Sequence, residues 1–164
     1  MKLTTEAIYH CEPRRYLEEY FNGEGRSRRE TEGCTAVSWK ILESSRDGGV
    51  WRHVAESIEK LDAPLPIRKI FGETVRMEEH ASWRTDGNVI EIEYRPDKMQ
   101  KKISIRGTIR AEDLGDGKTR ACFDVDVVYR IFGVGGLLEK ISAKEMPKAI
   151  ESDCAYFNAH MATK

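Results

Sequence analysis

Glu79 is the acidic residue most out of place in this sequence. It falls in an alternating run, residues 73–84, on the face shared by Val75, Met77, Ala81 and Trp83. Its carboxylate therefore points to the side that should be buried. A buried carboxylate needs a partner or a raised pKa, because an unpaired charge in apolar surroundings is costly. Such a group orients a ligand or exchanges a proton with it. The plainer alternatives are a bulge that turns it over, or a place at a wet cavity mouth. His53 and His80 are the histidines that could join it in acid–base work. His80 takes the outward face of the same run. His53 shares a face with Trp51 and is the one that could line an interior. A satisfied structural role is the simpler reading of both. His10 and Cys11 are adjacent, but no third group is placed by sequence to complete a nucleophilic dyad. Cys11, Cys34, Cys122 and Cys154 are scattered, with no C-x-x-C spacing, so no structural metal site is expected.

Arg26, Arg28 and Arg29 form a basic cluster within residues 24–32, diluted by Glu24, Glu30 and Glu32. A solvated polar loop is expected there, with attraction of an anionic headgroup near a cavity entrance as the functional alternative. Gly133-Val134-Gly135-Gly136 lacks the lysine and hydroxyl of a phosphate loop. Its glycines suit a tight exit from a strand into a helix.

The elements that must position these groups follow from periodicity. Residues 2–10 alternate, with Leu3, Thr5, Ala7 and Tyr9 on one face. Residues 13–22 read as a helix opened by Pro13, with Tyr16, Leu17, Tyr20 and Phe21 as its apolar stripe. In strand 35–43, Val37, Trp39 and Ile41 face one way. Arg46-Asp47-Gly48-Gly49 is a hairpin turn into strand 50–60, whose inward face is either that of Trp51, His53 and Ala55 or that of Val50, Val54 and Ile58. Residues 67–71 form one helical turn before Gly72. Strand 89–95 sends Ile90, Ile92 and Tyr94 inward. Strand 103–111 does the same with Ile103, Ile105, Gly107, Ile109 and Ala111. Strand 119–132 follows the turn Gly115-Asp116-Gly117 and sends Ala121, Phe123, Val125, Val127, Tyr129 and Ile131 inward. Outward charges on the last two strands, Arg106 and Arg110 against Asp124 and Asp126, should lie near one another and pin the register. The C-terminal helix has two apolar faces, Leu137, Leu138 and Ile141 in its first half, and Met146, Ile150, Cys154, Phe157 and Met161 in its second. They are roughly opposite at 100° per residue. Pro147 lies at the changeover, and a kink or break is predicted there.

The chain has 164 residues, 40% hydrophobic and 34% charged, with a formal net charge of −1. That is the size and composition of one domain, residues 1–164, able to bury a core. No overall charge favours nucleic acid or an acidic membrane. The first residues carry no apolar stretch of the signal-peptide kind, and no run approaches the roughly 20 apolar residues of a membrane span. A cytoplasmic protein with reduced thiols is the expectation.

This order of elements resembles the START-like superfamily, also called SRPBCC, with its helix-grip fold. In detail it looks closest to a poorly characterised bacterial family within that superfamily. The resemblance covers essentially the whole chain. It rests on Leu65-Pro66 running into Ile70-Phe71-Gly72, the Glu79 to Trp83 strand, Ile105-Arg106-Gly107, and Gly135-Gly136-Leu137-Leu138-Glu139-Lys140-Ile141. These are packing and turn signatures, and none is catalytic. The resemblance implies an α+β fold in which a curved antiparallel sheet of about six to seven strands packs on a long C-terminal helix. It also implies a cavity between the two that holds a hydrophobic or amphipathic small molecule. Members include lipid carriers, polyketide cyclases, hormone and quinone binders, and chaperone activators, so the fold does not settle the function.

The expected function is binding or carriage of a hydrophobic or lipid-like molecule, with no cofactor and no metal. Val75, Met77, Glu79, Trp83, Ile92, Tyr94, Ile105, Phe123, Val125 and Val127 are the expected sheet wall, and Ile150, Cys154 and Phe157 the expected helix lid. A cyclase or dehydratase is the first alternative and needs at least two polar groups converging inside, with Glu79 and His53 as first suspects. A protein-interaction module is the second, and predicts a filled interior with an apolar patch on the outer sheet face.

Overall fold

A computed structural model describes residues 1–162. Seven antiparallel strands form one sheet in the order β1-β7-β6-β5-β4-β3-β2. They are β1 Lys2–Tyr9, β2 Ala36–Asp47, β3 Val50–Lys60, β4 Thr74–Arg84, β5 Val89–Pro96, β6 Ile103–Gly115 and β7 Lys118–Tyr129. Helix α1, Pro13–Tyr20, and helix α2, Gly23–Arg28, follow β1. Helix α3, Leu65–Phe71, joins β3 to β4, and helix α4, Gly135–His160, closes the chain. This is the helix-grip α+β arrangement. Among the described residues, no helix is long and apolar enough to cross a membrane.

Period-two alternation selects the inner face of the sheet. Leu3, Tyr9, Ala55, Ala81, Trp83, Ile90, Ile92, Ile109, Ala121, Phe123, Val125 and Val127 are buried on it. In β3 the face of Trp51, His53 and Ala55 is the inward one, because Ala55 and His53 are buried. The β2–β3 hairpin turns on Gly48 and Gly49, with φ of 59° and 74°, the pair of positive values that a two-residue turn matching the strand twist requires. Gly107 is also required. A Cβ there would stand 2.8 Å from the Cα of Val125 on β7, so a side chain would force those strands apart.

Four expectations are corrected. Strand β2 does not alternate cleanly, because register shifts fall between Ala36 and Ser38 and between Ile41 and Glu43. Ala36 and Trp39 face inward and Val37 is exposed. Residues 24–32 are not a solvated loop but helix α2, capped by the Asn22 side chain on the Gly25 N–H, followed by a π-turn, Arg29–Gly33. Arg106 does face Asp126 in register, but its ion partner is Glu93 at 3.4 Å. Arg110 faces Cys122 and pairs with Glu112. Finally, the break half of the expectation at Pro147 fails: a single helix spans Gly135–His160.

The two apolar faces of α4 do pack into separate clusters. Leu138 joins Ile67, Phe71, Ile131 and Val134, with Ile141 against them. Phe157 and Met161 join the main core, with Met146, Ile150 and Cys154 against it. Anchorage on both sides of the proline offsets the hydrogen bond it removes.

Candidate functional site

Three neighbouring strands carry the polar centre of the interior. Register places Ala55 of β3 and Tyr94 of β5 opposite Glu79 on β4. His53 lies diagonally across from Glu79, still within reach. Its Nε2 is 2.6 Å from the Glu79 carboxylate, and the Tyr94 hydroxyl donates to that carboxylate at 3.1 Å. Arg26 arrives from α2 with Nη2 3.1 Å and Nη1 3.4 Å from the same group. Arg26 also donates to the Tyr20 carbonyl and to Glu30, four residues on. Its guanidinium carbon lies 4.1 Å from the Tyr20 ring centroid and 4.8 Å from that of Trp39, so cation–π contacts add to the ion pair.

Arg26 and Glu79 are each only 4% exposed. Burial alone would raise the Glu79 carboxyl, but Arg26 and His53 beside it overturn that and hold it well below the usual carboxylate range. Glu79 is therefore ionised, and His53 meets it with an Nε2–H. Four donor contacts occupy the roughly four acceptor positions of a carboxylate. Glu79 has no free position from which to take a substrate proton.

A second buried pair ties the π-turn to α4. Arg29 grips Asp153 with Nε and Nη2, both at 2.7 Å, and the Tyr9 hydroxyl donates to Asp153 at 2.6 Å. Burial opposes the Asp153 charge, and Arg29 overcomes it, so its pKa is lowered. A Cβ on Gly33 would stand 2.7 Å from the Tyr156 Cβ, so turn and helix approach as closely as a glycine allows. Burial raises the Glu30 carboxyl, against the pull of Arg26.

Between sheet and α4 lies a cavity of about 370 Å³. Its sheet wall includes Ile92, Ile105, Ile109, Phe123, Val125 and Val127, and its helix wall Ser142, Met146, Ala149 and Ile150. Arg26, Arg29, Glu79, Tyr94, Tyr20 and Asp153 line its polar side. Of the residues expected from sequence, Met77, Glu79, Ile92, Tyr94, Ile105, Phe123, Val125, Val127 and Ile150 border it. The other four lie elsewhere. Val75 packs against the cluster under α3. Trp83 is buried against Phe21 and Trp51, with its indole N–H on the Gly87 carbonyl. Cys154 donates to the Ile8 carbonyl. Phe157 is fully buried against Tyr9. The reason is where α4 crosses: residues 142–153 face the cavity, and the turn after them closes on β1 and α1. Sequence reasoning missed Arg26, Arg29 and Asp153 as interior groups. The i,i+4 spacing of Arg26 and Glu30 was a signal that residues 24–32 are helical, but nothing local pointed to Glu79 or Asp153 as partners.

All four cysteines are free thiols, and the described residues contain no cluster of side chains suited to a metal. A wider hollow of about 690 Å³ lies on the outer sheet face, lined by Arg52, His80, Ser82, Glu91, Glu93 and Arg106 among others. It is a broad, open groove bordered by charged side chains rather than an interior.

The fold is that of START-like proteins. A START superfamily protein from Mycobacterium smegmatis superposes with a TM-score of 0.60 at 13% identity, covering 95% of this chain and 98% of its own. The protein TTHA0849 from Thermus thermophilus gives 0.67 at 18%, covering 93% and 91%. The Zhui aromatase/cyclase from Streptomyces sp. R1128 gives 0.65 at 14%, covering 96% and 94%. Residues 5–160 match the family described as protein of unknown function DUF2505, and the chain belongs to that family. No curated protein matches it in sequence.

Proposed function

We propose that the protein binds a hydrophobic or amphipathic small molecule, of lipid-like character, in the cavity between the sheet and α4. The observation that carries this is the division of the lining. The apolar wall from β5, β6 and β7 faces α4, while Tyr20, Arg26, Arg29, Glu30, Glu79, Tyr94 and Asp153 supply most of the charged and phenolic groups; Tyr129 and Ser142, hydrogen-bonded to each other, and Glu145 add a smaller polar set along α4. At about 370 Å³, the space is in the range of small-molecule sites, which combine an apolar lining with a few orienting polar groups. A ligand would lay its apolar body on Ile105, Phe123 and Val127 and turn its polar end toward Arg26, Tyr94 and Arg29.

Binding without catalysis fits the polar centre better than cyclase or dehydratase chemistry. Glu79 and His53 do converge, at 2.6 Å, but on each other, and Arg26 and Tyr94 take the rest of the carboxylate. The likeness to an aromatase/cyclase is one of fold. An interaction module of the chaperone-activator kind is disfavoured by the cavity and by the charged outer face.

The test is native mass spectrometry of the purified protein before and after organic extraction, against a mock-purified control. A bound lipophile, lost from an Ile105→Trp variant that fills the space, is the expected result. An unliganded mass, together with no uptake of a fluorescent apolar probe by protein whose folding is verified, would overturn it.

A further inference from the structure

Phe132 is completely exposed, at 103% of its reference surface. Its neighbours in the chain are not: Ile131 and Val134 are buried in the cluster with Ile67, Phe71 and Leu138. The turn is thus pinned on both sides, and the ring between the pins is held out in water. Leu65 on α3 and Leu137 on α4 are also exposed, at 55% and 38%, and both sit on elements packed around the same cluster. Lone exposed leucines are ordinary. A fully exposed phenylalanine at the tip of an anchored turn is not explained by packing.

The charge around this tip differs from that of the chain as a whole. Met99 and Ile103 pack against the same cluster, and the Arg130 N–H donates to the Lys102 carbonyl at 2.7 Å. The fold therefore gathers α3, the 97–102 connection and the 130–140 turn at one end. Those segments carry Arg68, Lys69, Lys101, Lys102, Arg130 and Lys140, all exposed. None of these six has a carboxylate within 4.0 Å among the described residues. Lys98 adds a seventh, donating to the Phe71 carbonyl. Two acidic residues, Asp97 and Glu139, lie on the same segments, and two more, Asp62 and Glu73, flank α3. This end is net basic in a chain whose formal charge is −1.

We propose that this end of the molecule docks on an anionic lipid surface, with Phe132 seated at headgroup depth and the lysines and arginines against the lipid phosphates. Charge complementarity selects this occupant. Basic side chains near an anionic leaflet each add attraction, and an aromatic ring supplies the apolar contact. A protein partner would need an interface of about 800 Å² on this side, and one ring with two leucines is too small an apolar centre for that. The docking is peripheral, and it holds whether or not the cavity is filled.

The experiment is flotation of the full chain with vesicles of phosphatidylcholine alone and of equal parts phosphatidylcholine and phosphatidylglycerol. Binding is expected to the second and not the first, and should weaken as salt is raised. Phe132→Ala should lower the partition coefficient about tenfold, and Lys101→Ala and Lys102→Ala roughly fivefold each. Val37→Ala, at an exposed apolar position on β2, should leave it unchanged. Circular dichroism melts of the variants verify folding. Equal binding to both vesicles, or an unaltered partition for Phe132→Ala, would overturn the proposal. So would absence of vesicle binding together with a dimer in light scattering that Phe132→Ala dissolves, which would assign the surface to a second copy of this chain.

Discussion

The Arg26 guanidinium lies 3.1 Å from the Glu79 carboxylate, across 53 residues of chain and with both side chains out of water. This contact joins α2 to the centre of the sheet and sets the polar side of the cavity. Removing one member of such a pair leaves the other charge buried and uncompensated.

Arg26→Ala should therefore destabilise the protein by about 3–5 kcal/mol. Glu79→Gln should also destabilise it, and an Arg26→Leu, Glu79→Leu double variant should lose much less than the two single leucine changes summed. Urea unfolding of the full cycle reads the coupling. Strictly additive losses would mean that the pair does not act as a unit.

Acid should expose the same contacts. The folded-state pKa values of Glu79 and Asp153 are lowered, so their contribution to stability is present above the ordinary carboxylate range of about 4 and is lost as pH falls through the lower folded values. Where the unfolded chain takes up one proton more than the folded one, the unfolding free energy drops by about 1.4 kcal/mol per pH unit. Glu30, raised by burial, has the opposite sign and offsets part of this as pH rises. Unfolding free energy measured from pH 7 downward should decline below about pH 4, with a shallower slope in Glu79→Gln. Identical slopes would remove Glu79 from the account.

Two residues of α4, Ile150 and Phe157, should behave differently. Phe157 is fully buried against Tyr9, and Phe157→Ala should cost about 3–5 kcal/mol through the void it leaves. Ile150 borders the cavity, and Ile150→Trp should reduce ligand occupancy at a smaller cost in stability. Thermal melts paired with native mass spectrometry separate the two effects. Loss of ligand from a folded Phe157→Ala protein, with none from Ile150→Trp, would reverse the assignment.

The thiols offer a further check. Burial pushes Cys11 up to about 11 and Cys34 up to about 12. The thiolate is the reactive form, so both should alkylate slowly with iodoacetamide at pH 8 and rapidly once urea unfolds the chain. Peptide mass mapping over time gives the rates. Rapid labelling of Cys34 in the folded protein would show that the π-turn opens readily next to the cavity.

Much of the fold was legible because it is written locally. Alternation in β4 put Glu79 on the inner face, and the same rule placed Tyr94, Phe123, Val125 and Val127 there. Gly48 and Gly49 marked a turn whose positive φ values only a few residues adopt readily. Even the two faces of α4 could be read from its period. The unbroken helix at Pro147 could not, because contacts on either side of the proline come from α3 and β1, far away in sequence.

The polar centre was the least legible part. By itself the sequence determined that a carboxylate at Glu79 would turn inward, since side-chain direction in a strand follows from parity alone. It also showed three arginines beside three glutamates, a pattern that reads as a solvated surface when partners are sought nearby. Tertiary structure alone decided that Arg26 and Arg29 are interior groups, because their carboxylates lie 53 and 124 residues away. It also decided which of the inward residues border the cavity, since that depends on where α4 crosses the sheet. Periodicity is a property of consecutive backbone dihedrals. Pairing of buried charges and the shape of a void depend on how distant segments meet, and no local pattern encodes that.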